Sequence, residues 1–297
     1  MLSLESLAVL TNQFSDELEH PVASFEIQGN RFDSLKSPSL MGVINLSRDS
    51  WYRESVSLSA EAAVRRGKQL RAQGAVILDI GAESSLAHAE RVDAKGQTSL
   101  LLPVVKELSQ SGSIVSVETY HPEVTKSVLE AGAKVINLTG TVDTESIFKL
   151  AAAFEAGVIL CYVQGENVRE VGDFSLGIDP IPLMESYFSK KVEEAQRAGV
   201  SRIWIDPGLG FYYRNLQDSQ VRIQHQMTVF LNSFRLRRLG CPICHALPHA
   251  FETFEEEVRS AEPFFAVLAA LGKTDLYRTH EVPKVRAVLE TLKLWKS

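Results

Sequence analysis

Apolar runs rich in valine and isoleucine recur along the chain, at Leu40–Leu46, Ala75–Gly81, Ser113–Val117, Lys134–Leu138, Gly157–Val163, Arg202–Ile205, Pro242–Leu247 and Asp275–Thr279. Short, continuous runs of this kind read as buried strands. Between them Ala60–Gln73, Pro122–Ala131, Glu145–Ala153, Leu183–Ala198 and Phe251–Leu271 carry helical periodicity. Gly74, Gly132, Gly199 and Gly272 follow these helices, at the position where a left-handed C′ residue favours glycine. Near-continuous apolar strands alternating with helices predict a parallel sheet covered by helices. Eight such units suit an α/β fold of the (β/α)8 TIM barrel type better than its alternative, an open doubly wound sheet. Ahead of this pattern, Val22–Ile27 and Arg31–Leu35 flank Gln28-Gly29-Asn30, a hairpin signal. The expected organisation is therefore an N-terminal extension, 1–38, whose short β-hairpin plugs the N-terminal end of a single barrel domain, 39–297.

Composition narrows the function classes. The 297 residues are 45% hydrophobic and 23% charged, enough for an ordinary core. A net charge of -6 without a Lys/Arg block argues against nucleic acid as a partner. The first residues lack a basic start, so no signal peptide is expected. No window approaches the length of a membrane-spanning helix, so no membrane partner is expected and the cytoplasm is the expected location. Three cysteines do not suggest a disulfide framework. Cys241-Pro242-Ile243-Cys244-His245 imitates a c-type haem attachment site, and with His249 it offers zinc-type donors. Strand alternation aims Cys241 and Cys244 at opposite faces, so a buried strand is the preferred reading.

Candidate chemistry collects at strand ends, where a (β/α)8 barrel builds its active site. Asn45 leads into a polar loop, Ser47-Arg48-Asp49-Ser50, and can bind an anion or a metal-bound phosphate; helix capping is its rival role. Asp79, inside an apolar strand, must find donors or a proton. Glu83, Ser84 and Ser85 follow that strand, and Ser85 can donate to an anion. Glu118 can accept from a ligand with several N–H groups, or cap the next helix. Asn137 offers both donor and acceptor to a heterocycle edge. Asp206 ends an apolar strand in a Pro-Gly turn. Arg278 and His280 share a face by period-two spacing, one able to hold phosphate, the other to donate or relay a proton.

From about residue 22 onward the chain resembles dihydropteroate synthase. MGVINLSRDSW (41–51) is similar to the family's MGILNVTPDSF, LDIGAESS (78–85) to IDVGGEST, and SVETY (116–120) to SVDTY. VINLTG (135–140) is similar to IINDVSG, LCYVQG (160–165) to LMHMQG, IDPGLGF (205–211) to LDPGIGF, and YRTHEV (277–282) to VRVHDV. The resemblance implies a folate-pathway, pterin-binding transferase that joins 6-hydroxymethyl-7,8-dihydropterin diphosphate to 4-aminobenzoate. It further implies a (β/α)8 barrel and a homodimer. Asn45 would contact the diphosphate and its Mg2+, and Ser85 would stand at the diphosphate. Glu118, Asn137 and Asp206 would read the pterin edge, and Arg278 and His280 would hold the diphosphate.

The departures from the family pattern gather at one side. The family's Ser-Arg-Lys after strand seven is Leu247-Pro248-His249-Ala250 here, leaving His249 as the substitute ligand. Thr-Arg-Pro-Gly becomes Ser85-Leu86-Ala87-His88, and Thr-Pro-Asp becomes Ser47-Arg48-Asp49. The pterin-reading Asp is Glu118, the Asp beside the ring-reading Asn is Leu138, and Cys161-Tyr162 replaces Met-His. Loss of a buried charge-assisted hydrogen bond costs about 1.5–3 kcal/mol, so weak synthase activity at most is the expectation. The alternatives are a pterin-dependent transferase with a different acceptor, and a non-catalytic pterin-binding partner protein.

Overall fold

Each of the eight apolar runs forms a strand in the structure, a computed structural model that describes residues 2–33, 38–47, 56–57, 59–84, 89–173, 179–211, 216 and 218–295. A hairpin of β1 (Phe25–Ile27) and β2 (Asn30–Phe32) precedes them. The barrel strands are β3 (Ser39–Asn45), β4 (Ile77–Gly81), β5 (Ile114–Thr119), β6 (Val135–Leu138), β7 (Gly157–Cys161), β8 (Ile203–Asp206), β9 (Cys244–Ala246) and β10 (Leu276–Thr279). They pair in parallel in the order β8-β7-β6-β5-β4-β3-β10-β9. The two edges meet through a parallel bridge between Ile205 and Ile243, with Ile205 N donating to Pro242 O at 3.1 Å. This contact closes the sheet into the expected (β/α)8 barrel.

The helices form where the sequence supplies a cap and an apolar stripe. Ser59 accepts from Ala62 N to start α3 (Ala60–Gln73), and Gly74 ends it at φ 113°. Its buried residues Ala63, Val64, Gly67 and Leu70 follow the helical repeat. Asp93 caps α4 (Ala94–Gln110), and Asp218 caps α8 (Ser219–Asn232). The intervening helices are α5 (Pro122–Glu130), α6 (Thr144–Ala153) and α7 (Ile181–Arg197). Among the described residues no helix is long and apolar enough to cross a membrane.

Two local expectations are corrected. Phe251–Leu271 is not one helix but α9 (Phe251–Phe254), a 3-10 segment (Glu255–Ser260) and α10 (Ala261–Leu271). Glu255 turns to φ 45°, and Pro263, lacking an N–H, fits only the first turn of a new helix. Gly272 sits at φ -83°, not in the left-handed region. Its requirement is close approach, because a Cβ there would stand 1.8 Å from Phe230 O. Two helices, α1 (Leu4–Gln13) and α2 (Ser15–Leu18), precede the hairpin. They bury no residue and attach through Phe14, whose ring lies 3.8 Å under the Arg235 guanidinium. The chain ends in α11 (Val282–Leu292).

The hairpin turns through Gln28 and Gly29, both at positive φ. Phe25 and Phe32 meet Trp204 edge-on at centroid distances of 4.5 and 5.1 Å. Ile27 and Phe32 are buried with Met41, Ile77, Ile114, Val135, Ile159, Trp204, Cys244 and Leu276. These are the inward positions at the N-terminal ends of the strands, so the hairpin closes the floor of the barrel. Each buried side chain of this type contributes roughly 1.5–3 kcal/mol. The outward positions, such as Leu78, Ile80, Val115, Val117, Ile136 and Val158, form a second core beneath the helices.

Candidate active site

The inward series changes chemistry half way along the strands. Two residues beyond Ile77, Ile114, Val135, Trp204 and Leu276 stand Asp79, Ser116, Asn137, Asp206 and Arg278. Strand register aligns them: Asp79 lies beside Ser116, and Glu118 beside Asn137. Asn45, Glu118, Asn137, Asp206, His249, Arg278 and His280 all line one pocket at the C-terminal mouth. Ser85, and Arg48 to Trp51 of the first loop, lie outside the described residues.

Asp79 is the hub of the polar layer. It accepts from Ser116 Oγ at 2.6 Å, Asn137 Nδ2 at 3.1 Å and Arg278 Nε at 2.7 Å. Three donors satisfy a carboxylate that is wholly removed from water. Arg278 Nη2 reaches Glu118 Oε2 at 2.6 Å, so one guanidinium spans two anions. Burial works against the charge of Arg278, yet Asp79 and Glu118 outweigh it and raise its pKa. Glu118 does not cap the following helix. Burial pushes its carboxyl up, Arg278 pulls it down, and Asp79, Glu83 and Asp206 push it up again; the net direction is upward. Asn137 Oδ1 accepts from Cys161 Sγ at 3.3 Å. Asp206 is 3% exposed and shapes its own turn, Oδ1 accepting from Gly208 N at 2.8 Å. Burial raises its pKa to about 6, against the Gly208 hydrogen bond and the Arg278 charge.

A second cluster gathers just past the end of β10, beside Arg278. Glu262 rises from the first turn of α10 and is 1% exposed. It accepts from His280 N at 3.0 Å, Glu281 N at 3.1 Å and the Thr279 hydroxyl. His280 Nδ1 lies 2.8 Å from Glu262 Oε1, and His249 Nδ1 3.6 Å from the same oxygen. An anion facing Nδ1 favours the proton on that nitrogen, which leaves His280 Nε2 toward Asn45 Nδ2 at 3.4 Å. Burial opposes the charge of Glu262, but His280 and His249 outweigh it and hold its pKa at about 2. Burial lowers His249 to about 4, helped by His280.

The second and fifth loops are tied together. Arg169, after β7, donates from Nη1 to Ser84 O and from Nη2 to Ala89 O, both at 2.7 Å. Arg91 Nη1 reaches Glu170 Oε1 at 2.8 Å, and Tyr120 OH donates to Glu83 at 2.7 Å. Glu262, Arg169 and Tyr120 escape a reading of the sequence. Each belongs to an element other than the one it completes, and only the fold brings them together.

The Cys-x-x-Cys-His run is structural. Cys241 packs in the outer core and Cys244 in the barrel interior. All three cysteines are buried thiols. His245 is buried against Phe230, and its two ring nitrogens have no hydrogen-bond partner among the described residues.

A model of the family described as pterin binding enzyme matches residues 41–247. The chain belongs to the pterin-binding enzyme family. Within this family it is 29% identical to the dihydropteroate synthase of Streptococcus pyogenes serotype M6, over 75% of this chain and 76% of that protein. The Synechocystis dihydropteroate synthase is likewise 29% identical, over 78% of each chain. Among solved structures, dihydropteroate synthase of Xanthomonas albilineans with 4-aminobenzoic acid aligns at a TM-score of 0.76 and 25% identity, over 92% of this chain and 98% of that one. The Yersinia pestis dihydropteroate synthase with a sulfonamide drug aligns at 0.78 and 21% identity, covering 92% and 98%, and shows the same fold. The pterin-binding enzyme described here is therefore a dihydropteroate synthase-like protein of the folate-pathway transferase type.

Proposed function

We propose that the barrel mouth binds 6-hydroxymethyl-7,8-dihydropterin diphosphate and transfers its pterinylmethyl group to an arylamine such as 4-aminobenzoate, releasing diphosphate. The observation that carries this reading is the convergence of Glu118, Asn137 and Asp206 with Arg278 in one buried pocket. A pterin edge presents several N–H groups beside a carbonyl. Two carboxylates and an amide, from β5, β6 and β8, match that pattern of donors and acceptors. The family match supports the pterin, and the X. albilineans synthase solved with 4-aminobenzoic acid supports the acceptor.

In this reading Asn45, Ser85, Arg278 and His280 hold the diphosphate. Asn45 offers a hard carbonyl oxygen, which fits Mg2+; bound with the diphosphate, Mg2+ would neutralise charge on the leaving group. The C–O bond to the diphosphate breaks with its electron pair on the diphosphate, the pterin ring delocalises the resulting cation, and the amine attacks and then loses its proton. This chemistry rewards a fixed anion cradle more than a strong base. Arg278 is suited to it, because Asp79 and Glu118 fix its plane before ligand arrives.

The test is calorimetric titration of the protein with the pterin diphosphate and Mg2+, followed by 4-aminobenzoate and an assay of released diphosphate. Binding with release is expected. Absence of binding would overturn the pterin reading. One observation favours a different acceptor: the end of β9 carries His249, which burial keeps uncharged at neutral pH, and no lysine. Binding without release would select that second reading.

A further inference from the structure

We infer that His249, Glu262 and His280 form a binding site for a zinc-type divalent cation on the wall of the pocket, distinct from any Mg2+ carried in with a diphosphate. Among the described residues these three offer ligand atoms that all lie within 4.8 Å of one another. Two imidazoles and a carboxylate are the donor set of catalytic zinc sites. Tetrahedral zinc with ligand bonds of about 2.0–2.2 Å places neighbouring ligand atoms about 3.4 Å apart. The spacings from Glu262 Oε1 to His280 Nδ1 and His249 Nδ1, 2.8 and 3.6 Å, bracket that value.

The surroundings supply what a metal site needs beyond its ligands. Glu262 is held in place by the backbone N–H groups of His280 and Glu281 and by the Thr279 hydroxyl, and such outer contacts orient a ligating carboxylate. When the cation takes His280 Nδ1, the proton of the neutral ring moves to Nε2. A rotation of the Asn45 amide then presents Oδ1 to that proton. His249 and His280 both face the pocket, so the fourth position opens to water or to an anionic ligand. The site needs no pterin, and its test is separate from the test of the proposed reaction.

The experiment is titration of chelator-treated, full-length protein with ZnCl2 by calorimetry and with CoCl2 by visible absorption. We expect one Zn2+ per chain and the intense cobalt band of a four-coordinate site. His249→Ala should weaken Zn2+ binding by more than about 10-fold while its circular dichroism stays unchanged. Glu262→Gln should do the same. If the buried Glu262 variant does not fold, His249→Ala decides alone, since its side chain sits at the pocket wall. No saturable binding, or binding within twofold of wild type in His249→Ala, would overturn the inference.

Discussion

The floor and the mouth of the barrel are built from the same strands, by the same alternation, with opposite chemistry. At the floor Ile77, Ile114, Val135, Trp204 and Leu276 fill the interior against Ile27 and Phe32 of the hairpin. One inward step later on the same strands stand Asp79, Ser116, Asn137, Asp206 and Arg278. The floor is held by apolar burial, which is nondirectional and tolerates repacking. The mouth is held by charge-assisted hydrogen bonds around Asp79, each of which fails if one partner is missing. Stability can therefore be assigned to the first layer and recognition to the second, although they are only two residues apart.

The comparison is broken most sharply by Arg278→Met. It strands two carboxylates in the interior and should lower unfolding stability by about 3–5 kcal/mol, read from urea melts, and abolish binding of the pterin diphosphate. Trp204→Ala should cost a similar 3–5 kcal/mol through a cavity under the hairpin, yet leave ligand affinity intact in the folded fraction. If both variants lost affinity equally, the division between layers would be wrong. The next effect concerns pH. Asp206 has a pKa of about 6 against an ordinary 3.8, so the native state holds a proton that the unfolded chain has already released. Stability is then greatest below pH 3.8 as far as this group is concerned, and about 3 kcal/mol of it is lost as pH rises through about 6. Asp206→Asn should flatten that slope in melts run across this window. Smallest is Gly29→Ala, which forces an alanine to φ 76° and should cost about 1 kcal/mol without touching the ligand.

Much of this division is legible in the sequence, for physical reasons. Strands buried on both faces have few polar positions, so a carboxylate or amide within one, such as Asp79 or Asn137, stands out as needing partners. Period-two spacing places Arg278 and His280 on one face, and the structure brings them together with Asn45, Glu118 and Asp206. Glu262 illustrates what remains hidden. In AEPFFAVLAAL it looks like an ordinary acid of a helix's first turn, and nothing local shows that the helix aims it at the end of β10. The break of Phe251–Leu271 had a signal in Pro263, which fits only the first turn of a helix, but the apolar residues keep a helical repeat across Glu255 and mask it. The helices α1 and α2 bury nothing, so they leave no periodic stripe to read.

The fork of Arg169 joins two loops into one lever. Its guanidinium grips the chain at Ser84 and again at Ala89, and Arg91 answers with a grip on Glu170. Ser84 and Ala89 cannot shift without drawing on Arg169 of the fifth loop, so a fluorophore placed at either anchor would report the motion of both.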